Sequence, residues 1–226
     1  MKKWDELPED MQTEEVRRYY CILQGKKGSL ILKRIFDIIV AGLLLVILSP
    51  VFLILAILIK TDSEGPVFFR QVRVTRYGRR FRIFKFRTMV VNADRLGTQV
   101  TTKGDTRVTR VGKALRGCRL DELPQLLNIL TGDMTFVGTR PEVEKYVAHY
   151  TNEMKATLLL PAGVTSLASI EYKDEERLLE SADNADQVYI DQILPEKMKY
   201  NLKAIEDFSF WGDIKTMFAT VAAVIK

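Results

Sequence analysis

The chain has 226 residues, 28% of them charged and 47% hydrophobic, with a formal net charge of +5 and a mean hydropathy of -0.03. That length accommodates one ordinary domain with an appendage and excludes two large ones. Its two cysteines, Cys21 and Cys118, fit no metal spacing and exclude a disulfide framework, so a reducing compartment is the default.

The modest net charge hides a segregation along the chain. Residues 1–30 hold six basic and six acidic side chains, residues 60–120 sixteen basic against four acidic, and residues 121–226 ten basic against eighteen acidic. A block of net +12 seeks anionic headgroups, phosphates or nucleic acid.

The first thirty residues are helix-prone and neutral, and predict an extra amphipathic helix or a partner contact. Their start is acidic (Asp5, Glu6, Glu9, Asp10) and no apolar h-region follows, which argues against a cleaved signal peptide. From Ile38 to Ile59 the chain then carries no charge for 22 residues. As one straight helix this run reaches ~33 Å, enough for the ~30 Å hydrocarbon core of a bilayer. Two features oppose a simple span. Ser49-Pro50 sits near its midpoint, where proline removes a backbone hydrogen bond and bends a helix; the Ser49 hydroxyl is a candidate partner for the carbonyl left free. Both flanks are also positive: Lys33 and Arg34 precede the run, and Lys60, Arg70, Arg73, Arg76, Arg79 and Arg80 follow it. A helix–break–helix entering and leaving by one face accounts for both, and the residues alone balance it evenly against a span. Asp37, four residues after Lys33, is placed to pair with it.

Residues 67–87, VFFRQVRVTRYGRRFRIFKFR, read as two strand-like runs with turn chemistry at Tyr77-Gly78, hence a short hairpin. Interleaved arginine and phenylalanine suit a nucleic-acid surface. Directly after a membrane segment they suit better an interfacial skirt, aromatics sunk and arginines on lipid phosphates. Asn92 to Leu96 and the stretch around Gly104 to Gly112 read as polar connections. Arg107, Arg110, Lys113, Arg116 and Arg119 then recur every third residue, predicting one broad basic face on a helix.

At LDELPQLLNIL a helix is predicted to begin, with Asp121 as N-cap, Glu122 favouring the helix dipole and Pro124 tolerable in the first turn. Neighbouring helical residues point about 100° apart, so the two carboxylates cannot form one matched face but can take different roles at one site. Arg116 and Arg119 lie upstream and Arg140-Pro141 closes GDMTFVGTRP. Carboxylates with arginines beside a membrane suit phosphate chemistry, because arginine forks bind phosphate oxygens and a carboxylate-held Mg²⁺ bridges a diphosphate. No Walker loop, Gly-x-Gly-x-x-Gly or kinase set is present.

The succession KRIFDIIVAGLLLVILSP, GPVFFRQVRVTRYGRRFRIFKFRTM, LRGCRLDELPQLLNIL and GDMTFVGTRP, from about Lys33 to Ile170, resembles the bacterial sugar transferases, the monotopic polyprenyl-phosphate phosphoglycosyl transferases. The resemblance implies an α+β, mostly helical fold. Its parts would be an N-terminal helical extension (1–30), a re-entrant membrane helix broken at Ser49 and Pro50 (31–60), and a cytoplasmic membrane-associated catalytic domain with interfacial helices and the hairpin (61–226). It implies transfer of a sugar-1-phosphate from a UDP-sugar to undecaprenyl phosphate, with Asp121 as nucleophile and metal ligand, Glu122 as second member of the dyad and Mg²⁺ as the metal. Arg116 and Arg140 match basic positions near the transferred phosphates, and Lys85 and Arg87 match a further basic motif, also expected to bind phosphate or substrate. It places the chain at the cytoplasmic face of a bacterial inner membrane, with anionic phospholipid but no nucleic acid as partner, and leaves self-association open. Thr139 stands where the family usually has proline, and LPAGVTSLASI departs from a Pro-Gly-Ile-Thr-Gly-like element at Ala162 and Ser166. The competing class is a membrane-anchored adaptor that binds anionic lipid and uses Asp121 only as a cap.

Three later segments complete the reading. Residues 171–192 are acidic and predict a solvated excursion, with Tyr189 in a core or interface cluster. His149, the lone histidine, reads as surface or structural. The C-terminal DIKTMFATVAAVIK is at most a ~20 Å helix, too short to span, and predicts an element that lies in the interface or packs on the membrane-facing helices.

Overall fold

A computed structural model of the chain describes residues 1–93, 105–172 and 184–225. Thr13 accepts a hydrogen bond from the Val16 amide and so caps α1 (Glu14–Gly25), the helix expected near the N-terminus. Its Val16, Tyr19 and Leu23 are buried together with Leu7 and Met11 against Leu159, Ile205 and Phe208. The first 25 residues therefore share a core with chain far downstream.

Two apolar helices follow, α2 (Lys27–Ile47) and α3 (Ser49–Asp62), bent by 61° at Leu48. Pro50 has no N–H for the Val46 carbonyl four residues back; Ser49 Oγ donates to that oxygen instead, at 2.8 Å. Neither half alone is long and apolar enough to cross a membrane, whereas the bent pair together has the length and composition. Ile31, Ile39, Val46, Leu53, Ile54 and Ile57 are all more than half exposed, an apolar surface that the described residues leave uncovered.

The predicted hairpin forms as β1 (Phe68–Val74) and β2 (Arg80–Phe86), antiparallel from Phe68↔Phe86 to Val74↔Arg80. Tyr77 (φ 60°) and Gly78 (φ 70°) make the turn. Strand alternation gives the hairpin two faces. Phe81 and Ile83 enter a core with Leu126, Ile129 and Met134, and Lys85 projects from that same face. On the other face Phe86 stacks on Phe68 at 5.5 Å and meets Phe52 of α3 at 5.2 Å.

Next come α4 (Arg110–Gly117), a 3₁₀ turn Leu120–Glu122 and α5 (Gln125–Thr131). The expected basic face is shorter than its three-residue spacing suggested. Only Arg110, Lys113 and Arg116 lie on α4. Arg107 precedes it, bound to Asp105, and Arg119 follows it with φ 52°. The polar connection likewise stops at Thr109, whose side chain caps α4 through the Gly112 amide; residues 94–104 lie outside the described residues.

The remaining elements are β3 (Met134–Val137), α6 (Glu144–Val147), β4 (Ala162–Thr165), α7 (Leu167–Glu171), α8 (Ala185–Val188), a π turn Tyr189–Ile193, α9 (Leu194–Glu206) and α10 (Phe210–Ile225). Most of the acidic excursion, 173–183, lies outside the described residues. Tyr189 is buried with Tyr146, Ile193 and Met198, as expected for a core cluster, and His149 is exposed. β3 and β4 pair in parallel from Met134↔Ala162 to Val137↔Thr165. Beyond that pairing the main chains of Gly138 and Gly163 touch, so a Cβ on Gly163 would run into the Gly138 backbone. The architecture is a mostly helical α+β fold with two small sheets.

The root of α2 is polar and buried. Lys33 Nζ donates to Asp213 Oδ2 at 2.5 Å and to the Val137 carbonyl at 2.8 Å, and Asp37 accepts from Thr135 Oγ1 at 2.6 Å. The expected pairing of Lys33 with Asp37 persists as a charge attraction, while the hydrogen bonds of both side chains go to these tertiary partners. Arg34 donates to the Ile129 and Leu130 carbonyls at the end of α5, at 2.6 and 3.0 Å. Inside the domain Asn128 docks α5 on the hairpin: its Oδ1 accepts from the Phe84 amide at 2.8 Å and its Nδ2 donates to the Arg82 carbonyl at 3.1 Å. One side chain thus completes an otherwise open strand edge. Asn128→Ala leaves both buried groups unpaired, at a cost of about 2 kcal/mol. The expected result is a thermal midpoint lowered by roughly 4–8 °C in detergent, measured by a melting curve.

Candidate active site

Glu122 is the centre of the polar constellation. Its Oε1 accepts from Lys85 Nζ and from Arg140 Nη2, both at 2.8 Å. Lys85 arrives there because β2 alternates, and Arg140 because the chain leaves β3 through the Gly138–Gly163 contact, with Gly163 N donating to Thr139 O at 2.8 Å. Burial opposes ionisation of Glu122, but Arg140 and Lys85 outweigh it and hold the carboxyl well below the usual carboxylate range.

Asp121, next in the chain, is in the opposite state. It is 9% exposed, and burial raises its pKa above the ordinary value. Lys85 and Arg116 pull it down, while the negative charge of Glu122 pushes it up. Adjacent carboxylates are thereby driven apart, one held as a paired anion and the other as a buried group whose charge is poorly compensated.

The turn that presents them is not the helix start expected from the sequence. Asp121 lies within the 3₁₀ turn, and α5 begins only after Pro124, with no side-chain cap. The chain closes 3₁₀ bonds on either side of Pro124: Leu123 N donates to Leu120 O at 3.2 Å and Leu127 N to Pro124 O at 3.0 Å. Asp121 therefore has no capping duty. Just upstream, Arg119 adopts the left-handed conformation without being glycine, a cost of roughly 1–2 kcal/mol that turns the chain between α4 and the carboxylates.

Arg116 is steadied by Thr88, whose Oγ1 accepts from Arg116 Nε at 3.0 Å. α4 sits close enough for this because Gly112 lies against the Thr88 main chain, where a Cβ would collide. The structure thus brings Asp121, Glu122, Lys85, Arg116 and Arg140 together. Arg87, expected to face phosphate, is committed elsewhere. Its guanidinium is buried and donates to the carbonyls of Glu64, Ser63 (2.8 Å) and Ile59 (3.5 Å), closing the end of α3. Ser49 and Pro50 sit at the break between α2 and α3, where the sequence placed it.

Sequence reasoning missed Thr88, Asn128 and Arg73. Arg73 carried a signal, since it shares a hairpin face with Phe81, Ile83 and Lys85 by the two-residue period. Asn128, inside an apolar helical run, carried one too, because a polar residue there needs a partner.

Among the described residues no three His, Cys, Asp or Glu side chains gather as ligands for a metal. With Glu122 Oε1 already bridged by two cations, Asp121 is the carboxylate that could meet one. Mg²⁺ suits such a site, because it binds through one or two carboxylates and takes its other oxygens from substrate phosphates and water.

A family model described as bacterial sugar transferase matches residues 28–226, nearly the whole chain. The chain belongs to the bacterial sugar transferase family. Among its relatives in this family is the UDP-glucose:undecaprenyl-phosphate glucose-1-phosphate transferase of Klebsiella pneumoniae, 38% identical over 85% of this chain and 40% of that protein. A UDP-N-acetylgalactosamine-undecaprenyl-phosphate N-acetylgalactosaminephosphotransferase of Aeromonas hydrophila is 36% identical over 86% and 44%. An undecaprenyl-phosphate galactose phosphotransferase of Salmonella typhimurium is 31% identical over 89% and 42%. The chain spans about two fifths of the length of these relatives.

The buried, poorly compensated charge of Asp121 bears on stability at neutral pH. A folded pKa above the unfolded one means that stability is lost as pH rises through the ordinary carboxylate range. Removing the charge in Asp121→Asn is therefore expected to leave the thermal midpoint at or above that of the wild type, read by a melting curve at pH 7.

Proposed function

We propose that this sugar transferase moves a sugar-1-phosphate from a UDP-sugar to undecaprenyl phosphate, releasing UMP and giving a polyprenyl-diphosphate sugar. The observation that carries this reading is the pairing of a buried Asp121 with a Glu122 locked between Lys85 and Arg140. The relatives support it from the other side: their names differ in the sugar and agree on undecaprenyl phosphate.

The chemistry follows from the two carboxylates. An Asp121 oxygen attacks the β-phosphorus of the UDP-sugar, and the bond from that phosphorus to the bridging oxygen breaks. UMP departs with the electron pair and leaves the phosphosugar on Asp121. A phosphate oxygen of the lipid then attacks the same phosphorus, and the Asp121 oxygen leaves as carboxylate. Two easier transfers replace one direct one. A poorly solvated carboxylate is more reactive than a hydrated one, and Glu122 keeps Lys85 and Arg140 oriented where charge gathers on the phosphoryl oxygens. Arg116 adds a fork for the diphosphate. Mg²⁺ held by Asp121 and diphosphate oxygens would supply the remaining charge neutralisation.

The same reading seats the protein at the cytoplasmic face of the bacterial inner membrane. The α2–α3 pair enters and leaves by one face, and the exposed Trp211 and Phe218 of α10 lie in the interface. Arg70, Arg80 and Arg82 of the hairpin then meet anionic phospholipid. The adaptor reading gave Asp121 the duty of a cap, and the absence of a side-chain cap on the helix that follows favours the transferase reading over it.

Asp121→Asn is expected to cut UMP release from UDP-sugars by at least about a thousandfold, and chelation of Mg²⁺ to stop it in the wild type. Wild-type rates in the variant would remove the nucleophile assignment. Topology has its own check. In a chain with Cys21 and Cys118 replaced by serine, single cysteines at Ser29 and Ser63 should both resist an impermeant maleimide in intact cells and both react after permeabilisation. Labelling of only one in intact cells would make the segment a span.

A further inference from the structure

Behind Arg140 lies a second buried polar cluster that neither the transfer steps nor the membrane attachment use. Glu142, Tyr189 and Lys197 are 7%, 4% and 5% exposed. Tyr189 Oη donates to Glu142 Oε1 at 2.5 Å, and Lys197 Nζ donates to Tyr189 Oη at 3.2 Å while standing 3.9 Å from the carboxylate. The main chain of the same segment is held as well. Glu142 O accepts from the Val74 amide at 3.0 Å, and Pro141 O accepts from Arg73 Nη1 at 3.3 Å. Thr139 O accepts from the Gly163 amide at 2.8 Å. Three of the four carbonyls of residues 139–142, all but that of Arg140 itself, thus accept from fixed donors, and the Glu142 side chain is tied inward to Tyr189.

Burying a carboxylate and an ammonium is expensive, and apolar side chains of similar volume hold helices together at least as well. What such a cluster adds is direction, since a hydrogen bond tolerates only a few tenths of an ångström. Direction matters here because Arg140, two residues before Glu142, must set Nη2 at 2.8 Å from Glu122. Tyr189 also opens a π turn, a widened backbone that is costly and recurs at functional sites.

We infer that Glu142 and Tyr189 are positioning residues of the transfer reaction, fixing residues 139–142 so that Arg140 stays on Glu122. The inference rests on the transferase reading above. It makes α9 and the π turn, distant in sequence from the carboxylates, part of what sets the rate.

Tyr189→Phe is the sharpest variant, because it keeps the ring against Tyr146 at 4.4 Å and removes only the hydroxyl, which donates to Glu142 and accepts from Lys197. It is expected to lower kcat about tenfold with KM for the UDP-sugar within about twofold, since small misplacements of a charge-stabilising group fall on the transition state. In an Arg140→Gln background the same change should cost less than about twofold, because its route of action is gone. Amide exchange gives a readout independent of activity: the Val74 and Gly163 amides, whose acceptors are Glu142 O and Thr139 O, should exchange faster in Tyr189→Phe. Glu142→Gln, which keeps an acceptor for Tyr189, should retain more activity than Glu142→Ala. Equal tenfold losses in both Arg140 backgrounds, or unchanged kcat with unchanged exchange, would overturn the inference. If the wild type released no UMP from any UDP-sugar, the transferase reading would fall instead, and the exchange rates would still decide whether Tyr189 holds this segment.

Discussion

Three polar side chains at the root of the apolar helix, Lys33, Arg34 and Asp37, couple the membrane anchor to the chemistry. A buried lysine and aspartate are costly unless every donor and acceptor is met. Here Lys33 reaches Asp213 and Val137 O, Asp37 takes Thr135, and Arg34 closes the carbonyl end of α5. α5 is the helix that follows Asp121 and Glu122, and β3 is the strand that leads to Arg140. The apolar helix is therefore joined to the site by buried hydrogen bonds, and with α2 seated in a bilayer as proposed above its depth would set the depth of the site. α10 enters the same arrangement through Asp213, which ties the C-terminal helix to the anchor rather than leaving it an independent tail.

The site itself is a problem in placing two neighbouring carboxylates in different environments. A regular helix would have turned them about 100° apart and left both near solvent at its first turn. The chain makes a 3₁₀ turn over Leu120–Glu122 instead, in which Asp121 is buried while Glu122 meets Lys85 and Arg140. The strain at Arg119 and the close approach of Gly112 to Thr88 are the backbone costs of holding α4 and Arg116 beside that turn. Arg87 illustrates the converse. A basic residue in a shared motif, two positions after Lys85, gives both terminal nitrogens of its guanidinium to the open end of α3, so the same motif serves the site with one side chain and the apolar helix pair with the other.

Much of this was legible before any coordinates. The uncharged run from Ile38, the Ser49-Pro50 break and its Ser49 hydroxyl partner, the hairpin turning at Tyr77-Gly78 and the grouping of basic residues with Asp121 and Glu122 all follow from local rules. Proline geometry, two-residue alternation and hydropathy act over a few residues, so the sequence carries them on its face. The resemblance carried by four linked motifs added the family, and the match over residues 28–226 agrees with it.

What sequence reading misplaced or left incomplete depended on partners far along the chain. Local spacing paired Lys33 with Asp37 alone and put Asp121 at a helix cap, but Asp213 is 180 residues from Lys33 and the true turn is decided by contacts across the domain. The same holds for Asn128 on the hairpin edge and for Tyr189 and Lys197 on Glu142, pairs that no periodicity connects. By itself, then, the sequence determined the membrane-seeking segment, its break and the chemical inventory of the site, because each depends on neighbouring residues. Only the tertiary structure decided which cation meets which carboxylate and which arginine is free for phosphate, because buried charges take whichever partners the fold brings within hydrogen-bond reach.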